Sequence, residues 1–159
     1  MNENKETVTI ENYQELAMRT CLPTSKNWDY AIYNYRAELF ELYAKIESFH
    51  AKRIRDGEDF NASKYLDKIK DEIGDCYWQL ALLCELGGRK FEQGYYDSGD
   101  EYDTYISLIS EPNAMNEFAR LYDIRIGYNF DINDILQRNI DKLQSRKERG
   151  VLKGSGDER

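Results

Sequence analysis

The chain has 159 residues, with 22 Lys and Arg against 30 Asp and Glu and a formal net charge of -8. That length suits one domain with a real core, and an apolar fraction of 41% is ordinary for a globular protein. The acidic balance argues against a general nucleic-acid or anionic-membrane surface, and two prolines with 33% charged residues favour helices over a sandwich of short strands.

The charge is unevenly spread. From Lys142 to Arg159 six basic residues face three acidic ones, so residues 142–159 form a basic C-terminal segment of +3 and the first 141 residues carry -11. The beginning of the chain, Met1-Asn-Glu-Asn-Lys-Glu-Thr7, has no apolar signal core. The longest apolar run, Leu80 to Cys84, is far too short to span a bilayer. Cys21, Cys76 and Cys84 form no CxxC pair, and they read as free, mostly buried thiols. These features predict a soluble cytoplasmic protein with no membrane partner.

In chain order, residues 9–21 read as a short helix with Thr9 as N-cap and Pro23 beyond its end. A long helix follows over 29–54, with Ile32, Tyr35, Leu39, Leu42, Ile46 and Phe49 in steps of three and four. Asp56-Gly57-Glu58-Asp59 breaks it. The next helix covers 63–86, with Leu66, Ile69, Ile73, Cys76, Leu80 and Leu83 in the same spacing and Gly87-Gly88 as its C-cap. The short break predicts an antiparallel hairpin. Residues 89–103, rich in Tyr, Gly and Asp, read as irregular. A short helix is expected over 102–109, and another after Pro112-Asn113 carrying Met115, Phe118, Leu121 and Tyr122. The last helix runs over 131–146 with Ile135, Ile140 and Leu143 inward. The expected fold is an all-α single domain, an antiparallel bundle of four to five helices. Residues 37–46 and 71–80 resemble each other at an offset of 34, but no third copy follows, so a helical repeat array is rejected.

Aligned on their apolar stripes, the two long helices share a pattern. Glu38-Leu39-Phe40-Glu41-Leu42 and Glu72-Ile73-Gly74-Asp75-Cys76 are each acid, core, variable, acid, core in the same phase. Both acid pairs lie on the flank of the buried stripe, and a hairpin brings the four carboxylates Glu38, Glu41, Glu72 and Asp75 together. Such a group repels itself unless a cation sits within it. Oxygen ligands without a Cys or His partner suit Mg²⁺ or Mn²⁺, and Mg²⁺ in turn suggests phosphate chemistry. Lys45 falls on the face of Glu38 and Glu41, either as an i, i+4 ion-pair partner of Glu41 or as a phosphate contact. Taken alone, each acid pair is also compatible with a solvated helix face.

Glu38-x-x-Glu41 followed by Glu72-Ile-Gly-Asp75-Cys-Tyr-Trp78 resembles the ExxE…ExxD signature of the MazG-like, all-α nucleoside triphosphate pyrophosphohydrolases. The segment Asn139-x-x-Lys142-Leu143-x-x-Arg146, then Lys153-Gly-Ser-Gly-Asp157-x-Arg159, is similar to the closing segment of many such proteins. The resemblance covers residues 10–88 and 131–159. It implies Mg²⁺-dependent cleavage of a nucleoside triphosphate between its α and β phosphates, with Mn²⁺ as a substitute. It also implies metal ligation by Glu38, Glu41, Glu72 and Asp75, with Glu38 or Glu41 as base, and substrate contacts from Asn139, Lys142, Arg146 and Lys153. Family members usually work as dimers or tetramers. The sequence departs from the pattern in the 30 residues (42–71) between the motif halves and in Phe40, where a small residue is common.

Other features are weaker. Glu47-x-x-His50 has the spacing of a di-iron ligand pair, but such a site needs two of these motifs and the chain has one histidine. Lys153-Gly-Ser-Gly lacks the order of a phosphate-binding P-loop. The alternative function is a non-catalytic acidic protein that binds nucleotides or a partner, which leaves the shared phase of the acid pairs unexplained.

Overall fold

The computed structural model describes residues 6–97 and 114–152, and every described element is helical. Six α-helices follow in order: α1 (Tyr13–Met18), α2 (Trp28–Asp56), α3 (Ala62–Leu86), α4 (Phe91–Asp97), α5 (Ala114–Gly127) and α6 (Ile132–Glu148). Single 3₁₀ turns, Pro23–Ser25 and Gly57–Asp59, lead into α2 and out of it.

The long helices start where short polar side chains satisfy their first free N–H groups. Asn27 accepts from the Tyr30 amide at 3.2 Å, Asn61 from Lys64 at 3.4 Å and Asp131 from Asp134 at 3.0 Å. α1 is shorter than the expected 9–21, and Thr9 and Asn12 bond each other across the turn that leads into it.

α2 and α3 form the expected antiparallel hairpin. Lys45 meets Glu72 near the middle of the pair, and the Lys52 ammonium lies 4.7 Å from the Tyr65 ring nearer the turn. The two helices bury themselves differently. α2 buries one stripe, Ala31, Tyr35, Leu39, Leu42 and Phe49. α3 is buried on every side from Gln79 to Cys84 and packs against α1, α2, α4, α5 and α6, so it is the central helix. Cys76 and Cys84 are buried free thiols, as expected.

The region expected to be irregular over 89–103 contains α4. Tertiary packing overrides its Gly- and Tyr-rich composition: Phe91 is buried against Tyr13, Tyr77 and Phe118, with the Tyr13 ring centroid at 4.9 Å. Gly94 allows α4 to approach Phe118, whose ring would lie 2.5 Å from an added Cβ. The helix expected over 102–109 lies outside the described residues. The basic segment begins inside the fold, since Lys142, Arg146 and Lys147 belong to the last turns of α6. No helix among the described residues is long and apolar enough to cross a membrane.

Candidate active site

The hairpin places Glu38 from α2 opposite Glu72 and Asp75 from α3, with one carboxylate oxygen from each within 4.8 Å of the others. The helical period explains this: each acid sits one residue before a buried core position, so it lies at the edge of the interface rather than behind it. Glu41 was expected to complete a group of four. It is exposed and stands outside the three, one turn further along α2, at the rim.

Three like charges at such separations oppose one another strongly. At 4.8 Å each ionised pair costs about 3–4 kcal/mol for an effective dielectric of about 20. Burial, reinforced by the charges of Asp75, Glu41 and Glu72, pushes the Glu38 carboxyl up to about 8, against an opposing pull from Lys142. Burial, with Asp75 and Glu41, pushes Glu72 up to about 7, opposed by Lys45 and Lys142. Near neutral pH the cluster therefore either keeps protons or takes a cation.

Asp75 is held from α6. Lys142 Nζ donates to its two oxygens at 2.5 and 2.6 Å, and Asn139 Nδ2 donates at 2.9 Å. Asn139 Oδ1 in turn accepts from the buried Tyr13 hydroxyl at 2.9 Å. Gly74 makes this approach possible, because a Cβ there would stand 3.1 Å from Asn139 Cβ. Asn139 was expected to contact substrate, but it is 3% exposed and both ends of its amide are engaged, so it positions Asp75 instead. Lys45 pairs across the hairpin with Glu72 at 3.8 Å. Lys142 sits on a site carboxylate. Lys153 lies outside the described residues.

A cleft of about 300 Å³ opens beside the cluster, lined by Glu38 and Asp75 and by Arg146 of α6. Tyr30 and Asn34 precede Glu38 at four-residue steps on α2, while Trp78 and Gln79 follow Asp75 on α3. Trp78 is fixed by its indole N–H, which donates to the Ala17 carbonyl and Thr20 hydroxyl, both at 3.2 Å. Sequence reasoning missed Tyr13, Asn34 and Gln79. Gln79 did leave a signal, as a lone amide directly before the apolar run Leu80 to Cys84. Phe40, a departure from the family pattern, is 57% exposed and leaves the cluster unobstructed. His50 is exposed, with Nε2 3.4 Å from the Tyr128 hydroxyl.

No family model matches the chain, and no solved structure matches it. A 108-residue stretch, 68% of this chain, is 61% identical to the Gene 37 protein of Mycobacterium phage L5. That stretch spans 59% of the phage protein's length.

Proposed function

We propose that the chain is a Mg²⁺-dependent, MazG-like nucleoside triphosphate pyrophosphohydrolase, converting a (d)NTP and water to a (d)NMP and pyrophosphate. The observation that supports this best is the surplus of negative charge beside a cleft. Glu38, Glu72 and Asp75 crowd together with Glu41 nearby, a set of oxygen donors in which Lys45 pairs with Glu72 and Lys142 with Asp75. That donor set fits a hard divalent cation, with Mn²⁺ as an alternative to Mg²⁺.

Glu38, Glu72 and Asp75 would hold the ion, which when bound supplies charge to offset the triphosphate and to acidify a water. Lys142 and Asn139 keep Asp75 in place. Arg146, which lines the cleft, gives the phosphates a cation. Glu41, exposed at the rim and outside the group of three, takes the proton from the attacking water. Assembly as a dimer or tetramer belongs to the same reading. Tyr33 and Phe40, seven residues apart on the outward face of α2 and 66% and 57% exposed, support it.

The Lys142–Asp75 ion pair favours a second reading, because it already offsets one carboxylate: a non-catalytic acidic protein that binds nucleotides or a partner without cleavage. Incubation of pure protein with each NTP and dNTP plus Mg²⁺ separates the two. The proposal expects equal amounts of monophosphate and pyrophosphate, both lost in Glu72→Ala and Asp75→Ala. Orthophosphate as the direct product, or no product from any nucleotide, overturns it.

A further inference from the structure

The cleft has a second feature that the phosphate chemistry does not use. Gln79 lines its wall and is 5% exposed, and its buried Oε1 has no hydrogen-bond partner among the described residues. A buried acceptor left without a donor is costly to the fold. Packing alone gives no reason for it, since Met would fill a similar volume without the unmet acceptor. Gln79 lies one helical turn beyond Asp75, a rise of about 6 Å. That leaves room for a sugar between phosphates at the carboxylates and a planar group at Gln79. Asn34 precedes Glu38 by one turn on α2 and lines the same cleft. Trp78 already spends its N–H on Ala17 and Thr20, so its ring is a fixed apolar wall.

We propose that Gln79 is the base-reading residue of this cleft: its carboxamide, whose oxygen has no partner among the described residues, turns that now buried oxygen toward the cleft to accept a hydrogen bond from an N–H on the edge of a nucleobase, and it thereby selects the substrate. This rests on the proposed nucleotide chemistry and adds a specificity determinant to it. The substrate class is a nucleoside triphosphate whose base offers an edge donor.

The test measures binding of non-hydrolysable α,β-imido triphosphates to the full chain with Mg²⁺. The best-bound base is compared with an analogue lacking the donor: purine riboside for adenosine, 2-pyrimidinone riboside for cytidine, 1-methylinosine for guanosine, or the N3-methylated base for thymidine or uridine. The wild type is expected to prefer the donor-bearing base by about tenfold or more. In Gln79→Met that preference falls to within about twofold, while the melting temperature stays level or rises because the unmet acceptor is gone. A smaller apolar variant, Gln79→Leu, gives the same comparison should the Met variant fail to fold. The inference is overturned if the wild type binds none of these nucleotides, or if the folded variant keeps the wild-type preference. Gln79-dependent discrimination without pyrophosphate release would overturn the hydrolase reading and leave this one standing. Pyrophosphate release with unaltered discrimination would do the reverse.

Discussion

Two carboxylates in this bundle are equally buried and differently finished. Glu117 of α5 and Glu72 of α3 are 8% and 9% exposed. Glu117 accepts from the Tyr35 hydroxyl at 2.5 Å and from Arg120 Nε at 3.0 Å, and Arg120 also donates to the Tyr43 hydroxyl at 3.2 Å. Glu72 has Lys45 at 3.8 Å and two further carboxylates within 4.8 Å. Burial therefore does not mark a site by itself. A buried acid with its donors in place ties α2 to α5, whereas acids crowded beyond their donors must hold protons or take up a cation.

Function should separate the two acids most strongly. Glu72→Gln and Asp75→Asn should lower pyrophosphate release by at least about a thousandfold, roughly 4 kcal/mol of barrier. Glu117→Gln, assayed per folded molecule, should stay within about threefold of wild type. Equal losses at both sites would erase the distinction.

Stability should separate them in the opposite sense. Glu117→Gln leaves Arg120 short of its charge partner and should cost about 2 kcal/mol, lowering the melting temperature by about 4–8 °C. Glu72→Gln in metal-free buffer relieves repulsion and should leave the melting temperature level or higher. Thermal melts in EDTA test both directions.

The pH dependence has a definite sign. Glu38 and Glu72 have folded-state values of about 8 and about 7, above their ordinary value of 4.5. Between about pH 4.5 and 8 the folded chain therefore holds more protons than the unfolded one, and stability falls as pH rises. This contribution is full below the unfolded value and lost as pH passes the folded values. Metal-free melts should decline across pH 6 to 8, and the decline should shrink in Glu38→Gln and with Mg²⁺ present. A flat profile in EDTA would contradict the account.

These residues also show what the sequence carried. The acid pairs were legible because both long helices are regular, and a fixed period places any residue relative to the buried stripe. Lys142 and Arg146 were singled out by resemblance to a closing segment; the expected helix over 131–146 held both, but its period does not say which helix it meets. Gln79 escaped because a polar residue in an apolar helix looks the same from sequence whether a cleft or another side chain meets it. Asn139 was assigned to substrate, and only the tertiary approach of α6 at Gly74 shows its amide committed to Asp75 and Tyr13. α4 was missed for a similar reason, since its helix depends on Phe91 and Phe118 meeting across Gly94.

The smallest expected effect comes from that same approach. Gly74→Ala gains about 1 kcal/mol of helix propensity but sets a Cβ 3.1 Å from Asn139. Net stability should change by less than about 1 kcal/mol, while displacement of Asn139 from Asp75 should weaken cation binding severalfold. Unchanged cation affinity would show that Asn139 does not position the acid.

If the crowded acids form a cation site and the paired acid does not, Mn²⁺ binding separates them. Titration followed by the loss of free-ion paramagnetic resonance should show saturable binding to the wild type and to Glu117→Gln, and none to Glu72→Gln. Wild-type binding by folded Glu72→Gln, or no saturable binding by the wild type, would contradict a cation site at the crowded acids.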